Sequence, residues 1–217
     1  MTQNETLRVR VQKVFQLSQY LWEAQAGALA DSEARARGLD HRVYPSTRPM
    51  LMRPCFRESL LDLGLPKGWT LGGDTTKMVQ IYLCDDESGI RLRYLKERRA
   101  TYPGGVPAAG HNQARRCYWQ PPLFDCPESN GCPSPTNLLL LWDYLDSTQR
   151  EDGFSLRIVH PVAPGRWGEK TPIDLSLNIP NSDYMESGLE FKSYPEDTDF
   201  FADLSEETGV DGTAIRG

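Results

Sequence analysis

The sequence predicts an α+β fold in which a long N-terminal helix packs on a mostly antiparallel sheet. Three observations predict it. Residues 7–37 carry an apolar stripe at helical spacing, and residues 78–99 and 137–194 contain alternating or apolar runs of strand length. Between those strand regions, residues 101–136 form a long Pro-, Gly- and Cys-rich stretch without periodicity, which reads as an irregular loop. At 217 residues, 39% hydrophobic and 25% charged, the chain suits a single domain spanning 1–217.

In residues 7–37, Leu7, Val11, Val14, Phe15, Leu21, Trp22, Ala28 and Leu29 recur at three, four and seven, and Gly38 is a suitable stop. The opening "LRVRV" also alternates with period two, so a short strand there stays open. A stripe of this length serves either a helix lying on its own sheet or a homodimer with a second copy. "STRPMLMRP" reads as a proline-punctuated linker, and "CFRESLLDLG" as a short helix ended by Gly64 and Pro66. Residues 78–99 read as a basic hairpin whose acidic turn closes on Gly89. "NLLLLWDYL" is a buried strand, "FSLRIVHPV" returns beside it, and "PIDLSLNIP" with "LEFKSY" completes a meander over 137–194. The tail, 195–217, is acidic, and a frayed helix followed by partial disorder is expected there.

The longest apolar run, Leu138 to Trp142, falls far short of the roughly 20 residues a spanning helix needs, so no membrane partner is expected. "MTQNETLRVRV" lacks the apolar core of a secretory signal, and five cysteines favour free thiols or a metal over a disulfide framework. A cytoplasmic location is the expectation. The net charge of −6 is uneven: residues 1–120 carry +6 and residues 121–217 carry −12. Such a chain can set its first half against a polyanion while the second half stays away.

Three groups of residues carry candidate chemistry. The first is basic: Arg91, Arg93, Lys96, Arg98, Arg99, Arg115 and Arg116, interleaved with Tyr94, Tyr102, Tyr118 and Trp119. Phosphate neutralisation with base or sugar stacking is what this mixture does in nucleic-acid proteins. Equally, the arginines can pair with the acidic half as solvated surface. The second is His111, Cys117, Cys126 and Cys132 within the irregular loop. Four N/S ligands suit tetrahedral Zn²⁺ and would explain how the loop is held, although their spacing matches no knuckle and ordinary thiols explain them too.

The third is the hairpin "TPIDLSLNIPNSDYMESGLEFKSY". Alternation places Ile173, Leu175, Leu177 and Ile179 on one face and Asp174, Ser176 and Asn178 on the other. Glu190 and Lys192 share the polar side of the partner strand, with Lys192 opposite Asp174. The order Pro172-Ile173-Asp174 followed by Glu190-Phe191-Lys192 resembles the PD-(D/E)xK nucleases over about twenty residues, with Ile173 intervening between proline and aspartate. The resemblance implies that Asp174 and Glu190 hold Mg²⁺ and that Lys192 orients the attacking water. It implies a Mg²⁺-dependent endonuclease of defence or restriction type. Ordinary strand-surface pairing of acid and lysine accounts for the same residues.

No nucleophile elbow, P-loop or dinucleotide fingerprint is present, and His160, before Pro161, reads as structural. The leading expectation is a nucleic-acid-binding protein, with a metal-dependent nuclease as its sharper form. The rival is a non-enzymatic, antitoxin-like or regulatory module whose acidic C-terminal half engages a protein partner. A small-molecule sensor using the loop as a lid is the third class.

Overall fold

The computed structural model describes residues 3–120, 135–145 and 153–181, with side chains from residue 7 onward. All belong to one compact unit, Met1–Tyr184. The fold is α+β. Three helices, α1 (Gln3–Phe15), α2 (Ser18–Arg35) and α3 (Thr47–Leu63), precede a six-stranded sheet. Its strands are β1 (Trp69–Gly72), β2 (Tyr82–Asp85), β3 (Ile90–Lys96), β4 (Thr136–Tyr144), β5 (Phe154–Pro161) and β6 (Ile173–Asn178). A short helix, α4 (Gln113–Trp119), lies between β3 and β4. Strand order follows the chain, and every pairing is antiparallel except β3 with β4. Among the described residues no helix is long and apolar enough to cross a membrane.

The expected single helix over 7–37 is two. Gln16 and Leu17 donate to Lys13 and Val14, so the chain tightens into i→i−3 bonds before α2 begins. Val11, Val14 and Leu17 are spaced by three and all buried. A tight turn eclipses residues three apart, which keeps these side chains on one face where a regular helix would let them drift. The expected linker is also helix: α3 runs through Pro54. Pro49 falls in the first turn, where its missing N–H costs nothing, and burial of Met52, Cys55, Phe56 and Leu60 outweighs the bond lost at Pro54.

Each face of the sheet has its own core. Leu83, Leu92, Tyr94, Leu138, Leu140 and Ile158 meet α1–α3 in the larger cluster. The Tyr94 ring stacks on Phe56 of α3 at 4.0 Å, and its hydroxyl donates to Gln25 of α2 at 2.7 Å. On the opposite face Leu95, Leu139, Leu141 and Val159 pack with Val106, Ala109 and Trp119. β4 is therefore covered on both sides, which is why its sequence is continuously apolar.

The stretch 101–136 is not wholly irregular. It holds α4, its end begins β4, and its first part is pinned to the second core face. The Trp119 indole donates to the Pro107 carbonyl at 3.0 Å, and the Thr171 hydroxyl to that of Val106 at 3.0 Å. β1 is a strand the sequence reading did not assign. The second meander strand "LEFKSY" and the acidic tail lie outside the described residues.

Candidate functional site

The two sides of β3 are unlike. Ile90, Leu92 and Tyr94 are buried against the helices, while Arg91 and Arg93 project from the other face, ahead of buried Leu95. Register sets Cys84 opposite Arg91 and Tyr82 opposite Arg93. α4 then lays Arg115, Tyr118 and Trp119 onto this face at the i, i+3, i+4 spacing of one helix side. Asn112 caps it, its side chain accepting from the Arg115 N–H at 3.1 Å. The Tyr118 hydroxyl lies 2.6 Å from the Arg91 carbonyl and 2.8 Å from that of Leu138, tying α4 to the parallel pair. Burial pushes that phenol's pKa well up, so it stays a proton donor.

Arg93 is half-buried in an aromatic surround. Its guanidinium carbon lies 5.4 Å from the Tyr82 ring, 5.9 Å from Tyr118 and 5.5 Å from Trp119. Arg115 sits over the same Trp119 ring at 4.9 Å. Cation–π contact offsets part of the desolvation these groups suffer. Burial pushes the Arg115 guanidinium pKa down, and Arg93 adds to the effect. Trp119 is fully buried, so this ring is a shelf for arginines rather than a platform for a base, as the sequence had suggested. Arg91 and Arg116 are exposed beside it.

The remaining basic residues of the segment form a different environment. Lys96 pairs with Asp143 across the parallel strands, and Arg99 pairs with Glu97 at 2.8 Å. Arg157 of β5 also binds Glu97, at 2.9 Å, and the Gly104 carbonyl at 2.8 Å. Lys96, Glu97, Arg99 and Asp143 line a cleft of about 880 Å³ at the carboxyl ends of β3 and β4, walled further by Trp22 and Asn178. Arg98 lies over Tyr102 and over Trp167, an indole 72% exposed in the "PGRWGEK" loop. The predicted basic segment is thus split. Arg91, Arg93, Arg98, Arg115 and Arg116 have no carboxylate within ion-pair distance among the described residues, whereas Lys96 and Arg99 are neutralised.

No protein-family model, curated protein or solved structure matches this chain.

Of the nuclease-like set, only Asp174 is described. Pairing of β5 with β6 shifts between His160↔Leu175 and Pro161↔Ile173, which leaves Asp174 as the extra residue of a bulge. The shift corrects the simple alternation. Ile173 packs into the core cluster of Trp119 and Val159, while Leu175 and Leu177 pack into the opposite one. Asp174 Oδ1 lies 2.7 Å from His160 Nδ1, so the histidine read as structural is the partner of the aspartate. Glu190 and Lys192 lie outside the described residues. His111 and Cys117 are exposed on and before α4, while Cys126 and Cys132 also lie outside. Among the described residues no group of three or more His, Cys, Asp or Glu is gathered to hold a metal.

Sequence reading missed three contributors. Tyr82 stands opposite Arg93, a relation set by strand register. Trp167 was signalled by its glycine-flanked loop. Arg53, at the loop before β2, arrives from α3, a helix the prolines disguised.

Proposed function

We propose that the protein binds nucleic acid through the arginine and aromatic surface of β3 and α4. One observation carries this reading: within a single basic segment, Lys96 and Arg99 are paired with acids, while Arg91, Arg93, Arg115 and Arg116 are not paired with any described carboxylate. Arginines held on a sheet by aromatic shelves lose little further freedom on meeting phosphate, and their planar forks match its oxygens. Exposed Trp167, with Arg98 over it, offers a stacking face.

The test is titration of single- and double-stranded nucleic acid into the protein at two salt concentrations. Replacing Arg91, Arg98 and Arg116 by Glu is expected to abolish binding. Single neutralisations should each lower the salt slope by about one. Unchanged affinity in the triple variant would remove the reading. The Mg²⁺-dependent phosphodiesterase form makes a separate demand. Cleavage across DNA and RNA substrates with Mg²⁺ or Mn²⁺ must disappear on Asp174→Asn and on Lys192→Ala, and binding without cleavage would leave a non-enzymatic protein.

A further inference from the structure

Arg53 of α3, Arg93 of β3 and Arg115 of α4 come from three elements and lie near enough to repel one another. Arg53 Nη1 donates to the Met78 carbonyl at 3.1 Å, in the loop that leads to Tyr82 and so to Arg93 opposite it. Arg93 and Arg115 share the Trp119 ring, at 5.5 and 4.9 Å. All three arginines are half-buried, and the Arg115 Nε is buried without a hydrogen-bond partner. Burial pushes Arg53 and Arg115 down, and both are depressed further by Arg93.

The arrangement is unfavourable as it stands. Three half-buried cations repel one another, and no described carboxylate lies within ion-pair distance of any of them. The rings and one carbonyl offset part of the cost. The backbone beneath is also held in an uncommon conformation, with Met78 at φ 55° and Val79 at φ 48°. A β-branched residue there is strained, and such strain concentrates at ligand-holding sites.

We infer that Arg53, Arg93 and Arg115 form a seat for a single phosphoryl group. A carboxylate offers two oxygens and satisfies one guanidinium fork, whereas a phosphate has oxygens for three converging forks. The seat deepens the nucleic-acid reading, because a backbone phosphate is one source of such a group. A free phosphorylated small molecule is the other.

Calorimetric titration of the full chain with inorganic phosphate, against chloride at matched ionic strength, tests it. One saturable phosphate site per chain is expected. Arg53→Gln and Arg115→Gln should each weaken it at least tenfold, while Arg42→Gln, an exposed charge elsewhere, should leave it unchanged. Arg115→Lys keeps the charge without the fork and should weaken binding severalfold with the fold intact, as circular dichroism would verify. Phosphate binding no stronger than chloride, or full binding by folded Arg53→Gln and Arg115→Lys proteins, overturns the seat. A short oligonucleotide on the same variants separates the two readings. Oligonucleotide binding without phosphate binding removes the seat and keeps the surface. Phosphate binding without oligonucleotide binding keeps the seat for a free phosphoryl ligand and removes the nucleic-acid reading.

Discussion

Asp85 is fully buried and faces the Lys13 ammonium of α1 at 2.7 Å. It also accepts from the Ser88 N–H at 3.1 Å and from the Ser88 hydroxyl, which closes the turn of the β2–β3 hairpin. Burial pushes the Asp85 carboxyl up, but Lys13 and Ser88 together outweigh it and hold the pKa below the ordinary value. The bond to Asp85 in turn raises the Lys13 ammonium. An acid with a depressed folded pKa contributes stability above its unfolded value, about 4, and that stability is lost as pH falls through the folded value. A lysine with a raised pKa contributes below about 10.4 and is lost as pH rises beyond it. Asp85→Asn should therefore cost about 3 kcal/mol at pH 7. Urea denaturation should show the gap to the native protein closing as pH falls below about 4 and the native carboxyl takes up its proton. A gap unchanged in acid would mean that Asp85 acts through shape alone.

The β1–β2 connection shows how an element depends on one backbone approach. A Cβ on Gly73 would stand 2.1 Å from the Gln80 carbonyl oxygen, and its φ of +113° is strained for any L side chain. Asp74 begins the loop, accepting from Thr76 and pairing with Lys77 at 3.0 Å, which pulls its carboxyl down to about 2. Gly73→Ala should cost about 3 kcal/mol or more, because backbone rather than a side chain must give way. It should also weaken phosphate binding, since the same loop holds the Met78 carbonyl that fixes Arg53. Denaturation and phosphate titration of the one variant check both effects. Native stability with Ala at 73 would show that the loop is free to open.

Charge is arranged on the scale of the whole chain. Residues 182–217 carry −8, while residues 1–181 carry +2. Acids of that density repel a polyanion at long range, and salt screens the repulsion over about 10 Å at 0.1 M. Changing the acidic residues between Glu196 and Asp211 to their amides in the full chain should tighten nucleic-acid binding at low salt. The advantage should vanish near 1 M salt, where the screening length falls to about 3 Å. An advantage that persists there would point to direct competition for the surface rather than to long-range repulsion.

The sequence by itself determined the α+β class, the β2–β3 hairpin and the strands β4, β5 and β6, because hydrophobic period and turn residues are local properties. It also marked the arginines of β3 and α4 as a group. Tertiary structure decided the rest. The apolar stripe of residues 7–37 was legible, but its break at Gln16 and Leu17 answers to which residues the sheet buries, with no proline or glycine to announce it. Pro49 and Pro54 signalled a linker, and burial of Met52, Cys55, Phe56 and Leu60 makes that segment a helix. The parallel join of β3 to β4 cannot be told from either strand alone, since β4 is apolar throughout because both its faces are covered, whatever its direction. Which basic residues are neutralised was likewise invisible. Lys96 and Arg93 look alike in the sequence, yet one meets Asp143 and the other three aromatic rings, because charge partners are chosen by register between strands distant in the chain.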